Sequence, residues 1–185
     1  MPGKAKIVLL NGAGSAGKTS IAKAIQARAS SIFLHVQMDA FLDMMPQRTL
    51  GKPEGLTFEM VERDGKPFVI LTSGPELERT LRGMRHAIAA MAEQGCHMVI
   101  DDVMIDDTSA EYRTLLAPYD FHMVGVFAPL DVLERRERNR GDRALGLARS
   151  QFDIVHRGRT YDLEIDSSSA TADECAAAIV RAFAL

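Results

Sequence analysis

A glycine-rich segment near the N-terminus has the residue types and the spacing of a phosphate-binding loop. Residues 12–19 read Gly-Ala-Gly-Ser-Ala-Gly-Lys-Thr and match the pattern G-x-x-x-x-G-K-[ST] at every constrained position. An apolar run at residues 7–10 precedes the segment and a helical pattern at residues 19–28 follows it, as such a loop requires. Glycine lets backbone N–H groups converge on phosphate oxygens, and the following helix adds partial positive charge at its N-terminus.

The last residues of this loop are predicted to meet a nucleotide and a magnesium ion. Lys18 would reach the β- and γ-phosphates, and the hydroxyl of Thr19 would coordinate Mg²⁺. The alternative is a glycine-rich turn that binds nothing, but it leaves the coincidence of lysine, threonine, strand and helix unexplained. The residues predicted to bind the nucleotide are Gly12, Ala13, Gly14, Ser15, Ala16, Gly17, Lys18, Thr19 and Ser20.

Two carboxylates end another apolar run, which reads Met-Val-Ile-Asp-Asp at residues 98–102. The carboxyl ends of parallel strands face the ligand in sheets of this kind, and an acid there orients Mg²⁺ or its waters. Because side chains alternate between the faces of a strand, we expect one of the two acids to face the metal. The prediction prefers Asp102, with Asp101 close behind.

A third carboxylate, Asp39, follows the apolar run at residues 32–36. The ends of adjacent parallel strands open onto the same crevice, so we expect Asp39 to lie near the γ-phosphate. The alternative role is a helix N-cap, and the two roles are compatible.

Apolar side chains near Asp39 are candidates for the acceptor site, although the protein core is their alternative place. Methionines beside aromatic rings suit a partly aromatic acceptor with a polar tail. Arg48 and Lys52 are the cationic residues between positions 39 and 58, which disfavours a multiply anionic acceptor. The predicted substrate-binding residues are Asp39, Phe41, Met44, Met45 and Phe58, with Leu42 and Met60 beside them.

An arginine-rich segment at residues 131–146 is predicted to form a lid. A solvated charged helix is the alternative for some of its arginines, which are Arg135, Arg136, Arg138, Arg140 and Arg143. Guanidinium groups bind phosphoryl oxygens through paired hydrogen bonds, and Gly141 interrupts the run where a mobile segment could bend. Arg140 and Arg143 are the predicted contacts to the transferring phosphoryl group.

Alternating apolar runs and amphipathic segments predict one α/β domain over residues 1–185 with a parallel sheet. Strands are expected at residues 7–10, 32–36, 98–100, 123–127 and 161–165, and helices at 19–28, 76–94 and 173–183. Residues 47–73 interrupt this rhythm with two strand-like runs around Asp64-Gly65, which predicts a hairpin insertion. A substrate lid and a surface excursion without a role are its two interpretations.

Composition limits the partners of the protein. The chain has 22 Lys and Arg against 25 Asp and Glu, so a formal charge of −3 provides no basic field for nucleic acid. Cys96 and Cys175 lie far apart, which favours neither a disulfide framework nor a zinc site and predicts the reducing cytoplasm. No signal peptide is expected, because the glycine loop begins at Gly12 and leaves no room for one, and the apolar run at residues 7–10 is too short to span a membrane. Nothing in the sequence indicates the oligomeric state.

These segments together resemble the chloramphenicol phosphotransferase family of P-loop kinases. The resemblance rests on Leu10-Asn11-Gly12 through Lys18, Met38-Asp39 with Asp43, Gly74-Pro75-Glu76, Ile100-Asp101-Asp102-Val103, Arg140-Gly141-Asp142-Arg143, Val155-His156, and Tyr161-Asp162 with Glu164 and Asp166. It implies a three-layer nucleotide-kinase fold with a five-stranded parallel sheet. It also implies ATP-dependent phosphorylation of a hydroxyl on the small antibiotic, with Asp39 as the catalytic base. The stretch at residues 47–73 resembles the family least.

Two other functions compete with this one. A kinase for another hydroxylated metabolite would share the machinery and differ in the acceptor. A nucleotide-dependent switch is the other, because residues 139–142 read Asn-Arg-Gly-Asp and resemble the guanine-reading Asn-Lys-x-Asp of GTPases. That motif carries Arg in place of Lys, and neither Asp101 nor Asp102 has glycine three residues later, which disfavours the switch.

Overall fold

The computed structural model describes residues 4–105, 108–141 and 144–185. Its strands are Lys6–Asn11 (β1), Phe33–Gln37 (β2), Leu56–Arg63 (β3), Lys66–Ser73 (β4), His97–Asp102 (β5), Asp120–Phe127 (β6) and Leu163–Asp166 (β7). Its α-helices are Lys18–Arg28 (α1), Met38–Asp43 (α2), Pro75–Glu93 (α3), Thr108–Leu116 (α4), Leu130–Arg140 (α5), Leu147–Phe152 (α6) and Ala172–Phe183 (α7), with a 3₁₀ turn at Gln47–Thr49.

Five of the strands form the predicted parallel sheet, in the order β2-β5-β1-β6-β7. Adjacent strands end level with one another: Asn11 at the end of β1 pairs with Asp102 of β5. On the next pair of strands, Gln37 of β2 lies beside Asp101. The sheet order therefore brings the phosphate loop, the two acids of β5 and the residues after β2 to one edge.

Helices cover both faces of this sheet, because the side chains of β1 are buried on both sides. Val8 and Leu10 pack in one apolar cluster with α1 and α7. Ile7 and Leu9 pack in a second cluster with α3 and α4. This arrangement confirms the predicted three-layer α/β fold, with a continuous apolar run in the central strand. Within the described residues, no helix combines the length and the apolar character needed to cross a membrane.

The predicted hairpin is formed by β3 and β4, which pair antiparallel from Leu56 to Arg63 and from Lys66 to Ser73. Asp64 and Gly65 connect them with φ angles of 52° and 70°, the left-handed conformation that such two-residue turns require. The hairpin packs against the segment before α6. There a Cβ on Gly146 would lie 2.5 Å from the carbonyl oxygen of Pro67, so this close approach requires glycine.

Candidate active site

The phosphate loop joins β1 to α1 and borders a cavity of about 570 Å³. Gly17 adopts a left-handed φ of 89°, and α1 begins at the next residue. A Cβ on Gly12 would lie 2.5 Å from the carbonyl oxygen of Val126, so the loop packs too closely on β6 for another residue. Of the predicted nucleotide-binding residues, those that line this phosphate cavity are Ser15, Ala16, Gly17, Lys18, Thr19 and Ser20.

The first residues of the loop bind the side chain of Lys18 through their carbonyl oxygens. The Nζ of Lys18 donates hydrogen bonds to the carbonyl oxygens of Gly12 at 2.9 Å and Ala13 at 3.1 Å. It also lies 3.8 Å from Oδ1 of Asp101. The structure thus places a buried ammonium group between the loop and the acid at the end of β5, where it can neutralise phosphate charge.

Asp101 faces the phosphate cavity. Its Oδ2 accepts a hydrogen bond of 2.5 Å from the hydroxyl of Thr19 and lies 3.8 Å from Nε2 of His35. Burial raises the pKa of the Asp101 carboxyl, but His35, Lys18 and Thr19 together lower it by more, so the pKa lies below its ordinary value. Asp101 is therefore a carboxylate at neutral pH, paired with the predicted magnesium-binding hydroxyl.

Asp102 points to a different environment, which reverses the predicted preference between the two acids. Its Oδ2 accepts a hydrogen bond of 2.7 Å from the hydroxyl of Tyr112, and its Oδ1 accepts one from the backbone N–H of Val103. Asp102 does not line the phosphate cavity, and burial raises the pKa of its carboxyl. The physical reason is the alternation of side chains along β5, which turns Asp102 toward α4.

A second cavity of about 770 Å³ adjoins the first. Four residues line both cavities: Met38, Asp39, Val103 and Arg140. Asp39 lies in the first turn of α2, where Gln37 is the N-cap residue, so the helix-cap alternative for Asp39 is wrong. A carboxylate and a guanidinium group therefore occupy the boundary between the two cavities.

The second cavity, here called the acceptor cavity, is built by α2, the hairpin, α3, α4 and α6. Phe58 lines it, as predicted, together with Leu42, but Phe41, Met44 and Met45 do not. Phe41 packs against the core beneath α3 and α4, and Met44 is 70% exposed. The short helix α2 explains the error, because its turn presents Leu42 and Asp43 to the cavity in place of their neighbours.

Sequence analysis missed much of the acceptor cavity wall. The residues that it did not single out as substrate-binding include Leu71, Leu77, Leu81, Met84, Arg85 and Gln151. Three of these, Leu77, Leu81 and Met84, recur at spacings of four and three within residues 76–94 and form the apolar stripe of the helix predicted there. A stripe of this kind does not reveal whether it packs against the core or borders a cavity. Arg85 carried no sequence signal at all.

The arginines of α5 divide into contacts and solvated residues. All three of Arg135, Arg138 and Arg140 are exposed, but Arg140 lines both cavities, whereas Arg135 and Arg138 line neither, as the alternative of a charged helix predicts. Arg136, which belongs to the predicted lid but was not a predicted contact, lines the phosphate cavity and donates to the backbone oxygen of Ser167 at 2.7 Å. The prediction for Arg143 lies outside the described residues.

Helix α6 ties the arginine-rich segment to the phosphate loop. The carboxylate of Glu137 on α5 accepts hydrogen bonds from the backbone N–H groups of Gly146 and Ala148 at the start of α6. From α6, Oε1 of Gln151 accepts a hydrogen bond of 2.7 Å from the backbone N–H of Gly14. Gln151 is buried and also lines the acceptor cavity, so one side chain touches both functional regions.

Asn11 anchors the root of the phosphate loop. Its Nδ2 donates to the backbone oxygen of Val155 and the hydroxyl of Tyr161, and its Oδ1 accepts from the backbone N–H of Met104. His156 extends this network with an Nδ1 that lies 2.8 Å from the Tyr161 hydroxyl. Burial, with the charges of Arg159 and Lys18, lowers the pKa of His156 to about 4, so the imidazole is neutral at pH 7. The network fixes the loop relative to the segment before β7.

P-loop phosphotransferases have a parallel five-stranded sheet, a phosphate loop after its central strand and an acid at the end of the adjacent strand. This structure has all three features. The protein is of this class, and its relatives narrow the assignment. A family model described as chloramphenicol phosphotransferase-like protein matches residues 5–184. The chain therefore belongs to the chloramphenicol phosphotransferase-like family.

A Mycobacterium tuberculosis protein that is provisionally named an O-phosphotransferase is 32% identical to this chain over 177 residues. The match covers 92% of this chain and 79% of that protein. Among solved structures, an APS kinase of Mycobacterium tuberculosis in complex with AMPPNP and APS matches with a TM-score of 0.70 at 19% identity, covering 100% of both chains. A sugar kinase from Janibacter sp. matches with a TM-score of 0.68 at 17% identity, covering 96% of this chain and 93% of that one. These two structures support the kinase fold.

Proposed function

We propose that the protein transfers the γ-phosphoryl group of ATP to a hydroxyl of a compact, partly aromatic small molecule, with chloramphenicol as the specific candidate. The observation that carries this proposal is the shared boundary of the two cavities, where Asp39 and Arg140 line both. A phosphoryl donor in one cavity and a hydroxyl in the other would meet at these two side chains. The phosphotransferase family of the chain supports the same reaction.

The phosphate cavity fits the triphosphate of a nucleotide with Mg²⁺. Lys18 is buried beneath the loop, and the Thr19 hydroxyl and Asp101 carboxylate provide adjacent oxygens that suit a hard cation. When bound, Mg²⁺ neutralises phosphate charge. Among the described residues, no three His, Cys, Asp or Glu side chains form a metal site of their own. An ion here would share its ligands with phosphates and water, which is the usual arrangement for Mg²⁺.

Asp39 is proposed as the general base. From the boundary, its carboxylate would accept the proton of the acceptor hydroxyl as the oxygen attacks the γ-phosphorus. Arg140 would stabilise the negative charge that spreads over the transferring phosphoryl oxygens. Closure of the arginine-rich segment over the cavities would exclude water, which is itself a competing acceptor.

The walls of the acceptor cavity support a compact acceptor with an apolar part. Phe58, Leu71, Leu77 and Leu81 provide aliphatic and aromatic surface, while Asp39 and Asp43 provide carboxylates at α2. Such a combination suits an uncharged molecule that carries a ring and a hydroxyl. A kinase for another metabolite of this chemistry is the second candidate, since it would use the same walls.

The test is incubation of the purified protein with ATP, Mg²⁺ and a panel of hydroxylated compounds that includes chloramphenicol, followed by mass spectrometry. We expect a product heavier by one phosphoryl group, formed only when ATP is present. Efficient phosphorylation of an anionic metabolite in place of chloramphenicol would overturn the acceptor assignment. Release of inorganic phosphate with no phosphorylated product from any compound would overturn the transferase function itself.

A further inference from the structure

A buried cation in the wall of the acceptor cavity has no role in the reaction proposed above. Arg85 lies on α3 and is 8% exposed, yet it lines this cavity and not the phosphate cavity. Its Nε donates a hydrogen bond of 2.6 Å to Oε2 of Glu111 on α4. Arginine is rarely buried to this extent without specific partners.

Most of the hydrogen-bonding capacity of Arg85 is unused by the described protein. A guanidinium group carries five N–H donors, and the bond to Glu111 uses the one on Nε. The two terminal NH₂ groups make no hydrogen bond with any residue in the described ranges, although the residue as a whole is buried. Four donors are therefore available to a molecule in the cavity.

A second polar group of the same wall has unused hydrogen-bonding capacity among the described residues. The Oγ1 of Thr108 is buried and makes no hydrogen bond within the described part of the chain. Thr108 lines the acceptor cavity and precedes Glu111 by three residues on α4, which places the two side chains on the same face of that helix. The helix geometry therefore places the Thr108 hydroxyl on the side of α4 that carries the partner of Arg85.

The charges around Arg85 argue against an anionic partner. Glu111 already neutralises the guanidinium group, and Asp102 lines the same cavity. The charged residues of the whole described lining are the acids Asp39, Asp43, Glu78 and Asp102 and the cations Arg85 and Arg140. A carboxylate or phosphate entering this cavity would meet an excess of negative charge, whereas a neutral oxygen would not.

We propose that Arg85, with Thr108, recognises a neutral, oxygen-bearing group of the acceptor, such as an amide, a ketone or a nitro group. The acceptor would then carry its reactive hydroxyl at Asp39 and this second polar group at the wall formed by α3 and α4. Its role in substrate choice rests on the proposed function, but the binding of such a group can be measured without turnover. The competing interpretation is an ion pair that only joins α3 to α4.

The test compares three ring compounds that differ in one substituent: benzamide, benzoate and toluene. Their binding to the full chain is measured by NMR titration, without nucleotide. We expect benzamide to bind at least about 10-fold more tightly than toluene, the effect of one or two hydrogen bonds. Benzoate should bind no more tightly than benzamide. The advantage of benzamide should disappear in Arg85→Met and persist in Arg82→Met, which changes an exposed arginine on the same helix.

Two further variants keep the test decisive. If Arg85→Met does not fold, Arg85→Lys retains the charge beside Glu111 but lacks the guanidinium fork, so most of the benzamide advantage should be lost. Glu111→Gln keeps the guanidinium and removes its counter-charge, so benzoate should gain at least about 10-fold in affinity while benzamide changes little.

The proposal would be overturned if benzamide and toluene bound equally tightly, or if benzamide still bound more tightly than toluene in Arg85→Met. The ion pair would then be only a contact between α3 and α4. Tighter binding of benzoate than benzamide to the unmodified protein would overturn the neutral character of the site. Neither result bears on phosphoryl transfer, which is read separately from the phosphorylated product. A phosphorylated product without a benzamide advantage would refute this inference alone.

Discussion

The phosphate cavity and the acceptor cavity are built in opposite ways. Six consecutive residues, Ser15–Ser20, form one continuous wall of the phosphate cavity, and Asp101 of the adjacent strand lies against it. Side chains of α2 and α5 and the segment 167–172 border the rest. The acceptor cavity takes its walls from α2, a hairpin, α3, α4 and α6, and each contributes a few side chains. The phosphate cavity therefore depends on backbone conformation, and the acceptor cavity on how separate elements pack.

This difference separates what is general in the protein from what is particular. A contiguous loop that binds phosphate through its backbone tolerates few changes, because a Cβ at Gly12 already meets the backbone of β6. Side chains in the acceptor cavity come one or a few at a time from separate elements. Substitutions in the phosphate cavity should therefore affect every substrate pair. Substitutions of side chains that line the acceptor cavity alone and do not contact the phosphate loop should affect mainly the choice of acceptor.

The largest effect is expected for Lys18→Ala. The ammonium group contacts loop carbonyls and Asp101 and is not part of the apolar core, so the fold should survive. Phosphoryl transfer should fall below detection with every acceptor, while circular dichroism and the thermal midpoint stay near those of the parent protein. Turnover at the parent rate would remove the phosphate loop from the mechanism.

Arg140→Ala should lower kcat by about 10²–10³-fold, because a charge that stabilises the transition state would be lost. The KM for ATP should change much less, since binding of the ground state depends mainly on the loop. Arg138→Ala is the matched control on the same helix, exposed and outside both cavities. A similar loss of kcat in both variants would indicate a general effect of charge and not a contact.

The two acids of β5 should differ in their response to magnesium. Asp101→Asn should raise the Mg²⁺ concentration for half-maximal activity by about 10–100-fold, the usual cost of removing a partner close to a metal. Asp102→Asn should shift it little, because Asp102 bonds to Tyr112 and does not line the phosphate cavity. Magnesium titrations of the two variants test this, and a larger shift for Asp102→Asn would restore the order expected from the sequence.

Phe58→Ala should have the smallest effect and the most selective one. The ring lines the acceptor cavity from the hairpin and is 48% exposed, so its removal should raise the KM of an aromatic acceptor by roughly 10-fold and leave the KM of ATP unchanged. Met60→Ala, on the same strand but outside that cavity, is the control. Parallel changes in both KM values would mean that the hairpin affects the whole site.

The sequence predicted the sheet and the phosphate loop because both are encoded by contiguous residues. The apolar runs gave the five strands, and the glycine spacing placed the loop after the central one. The sequence analysis preferred Asp102 to Asp101, and the structure reverses this order, since Tyr112 reaches back from α4 to bind Asp102. Alternation along the strand indicated only that the two acids would differ.

The acceptor cavity was the least predictable region, for a geometric reason. Helix α2 spans six residues, too few for a periodic pattern to show that Leu42 and not Phe41 faces the cavity. The apolar stripe on α3 predicted a helix correctly. The first turns of this helix border the acceptor cavity, whereas its second half packs in the core. Gln151 left no sequence signal, because its bond to Gly14 joins residues that are 137 positions apart.

The central claim is that Asp39 delivers a hydroxyl from the acceptor cavity to a phosphoryl group in the phosphate cavity. The most direct test follows γ-labelled ATP with chloramphenicol or another accepted compound, for the parent protein and for Asp39→Asn, and separates phosphorylated product from inorganic phosphate. The account predicts labelled product from the parent protein and a loss of about 10²–10⁴-fold in Asp39→Asn, with nucleotide affinity nearly unchanged. Undiminished product from Asp39→Asn, or nucleotide binding that collapses while turnover per bound complex persists, would contradict it.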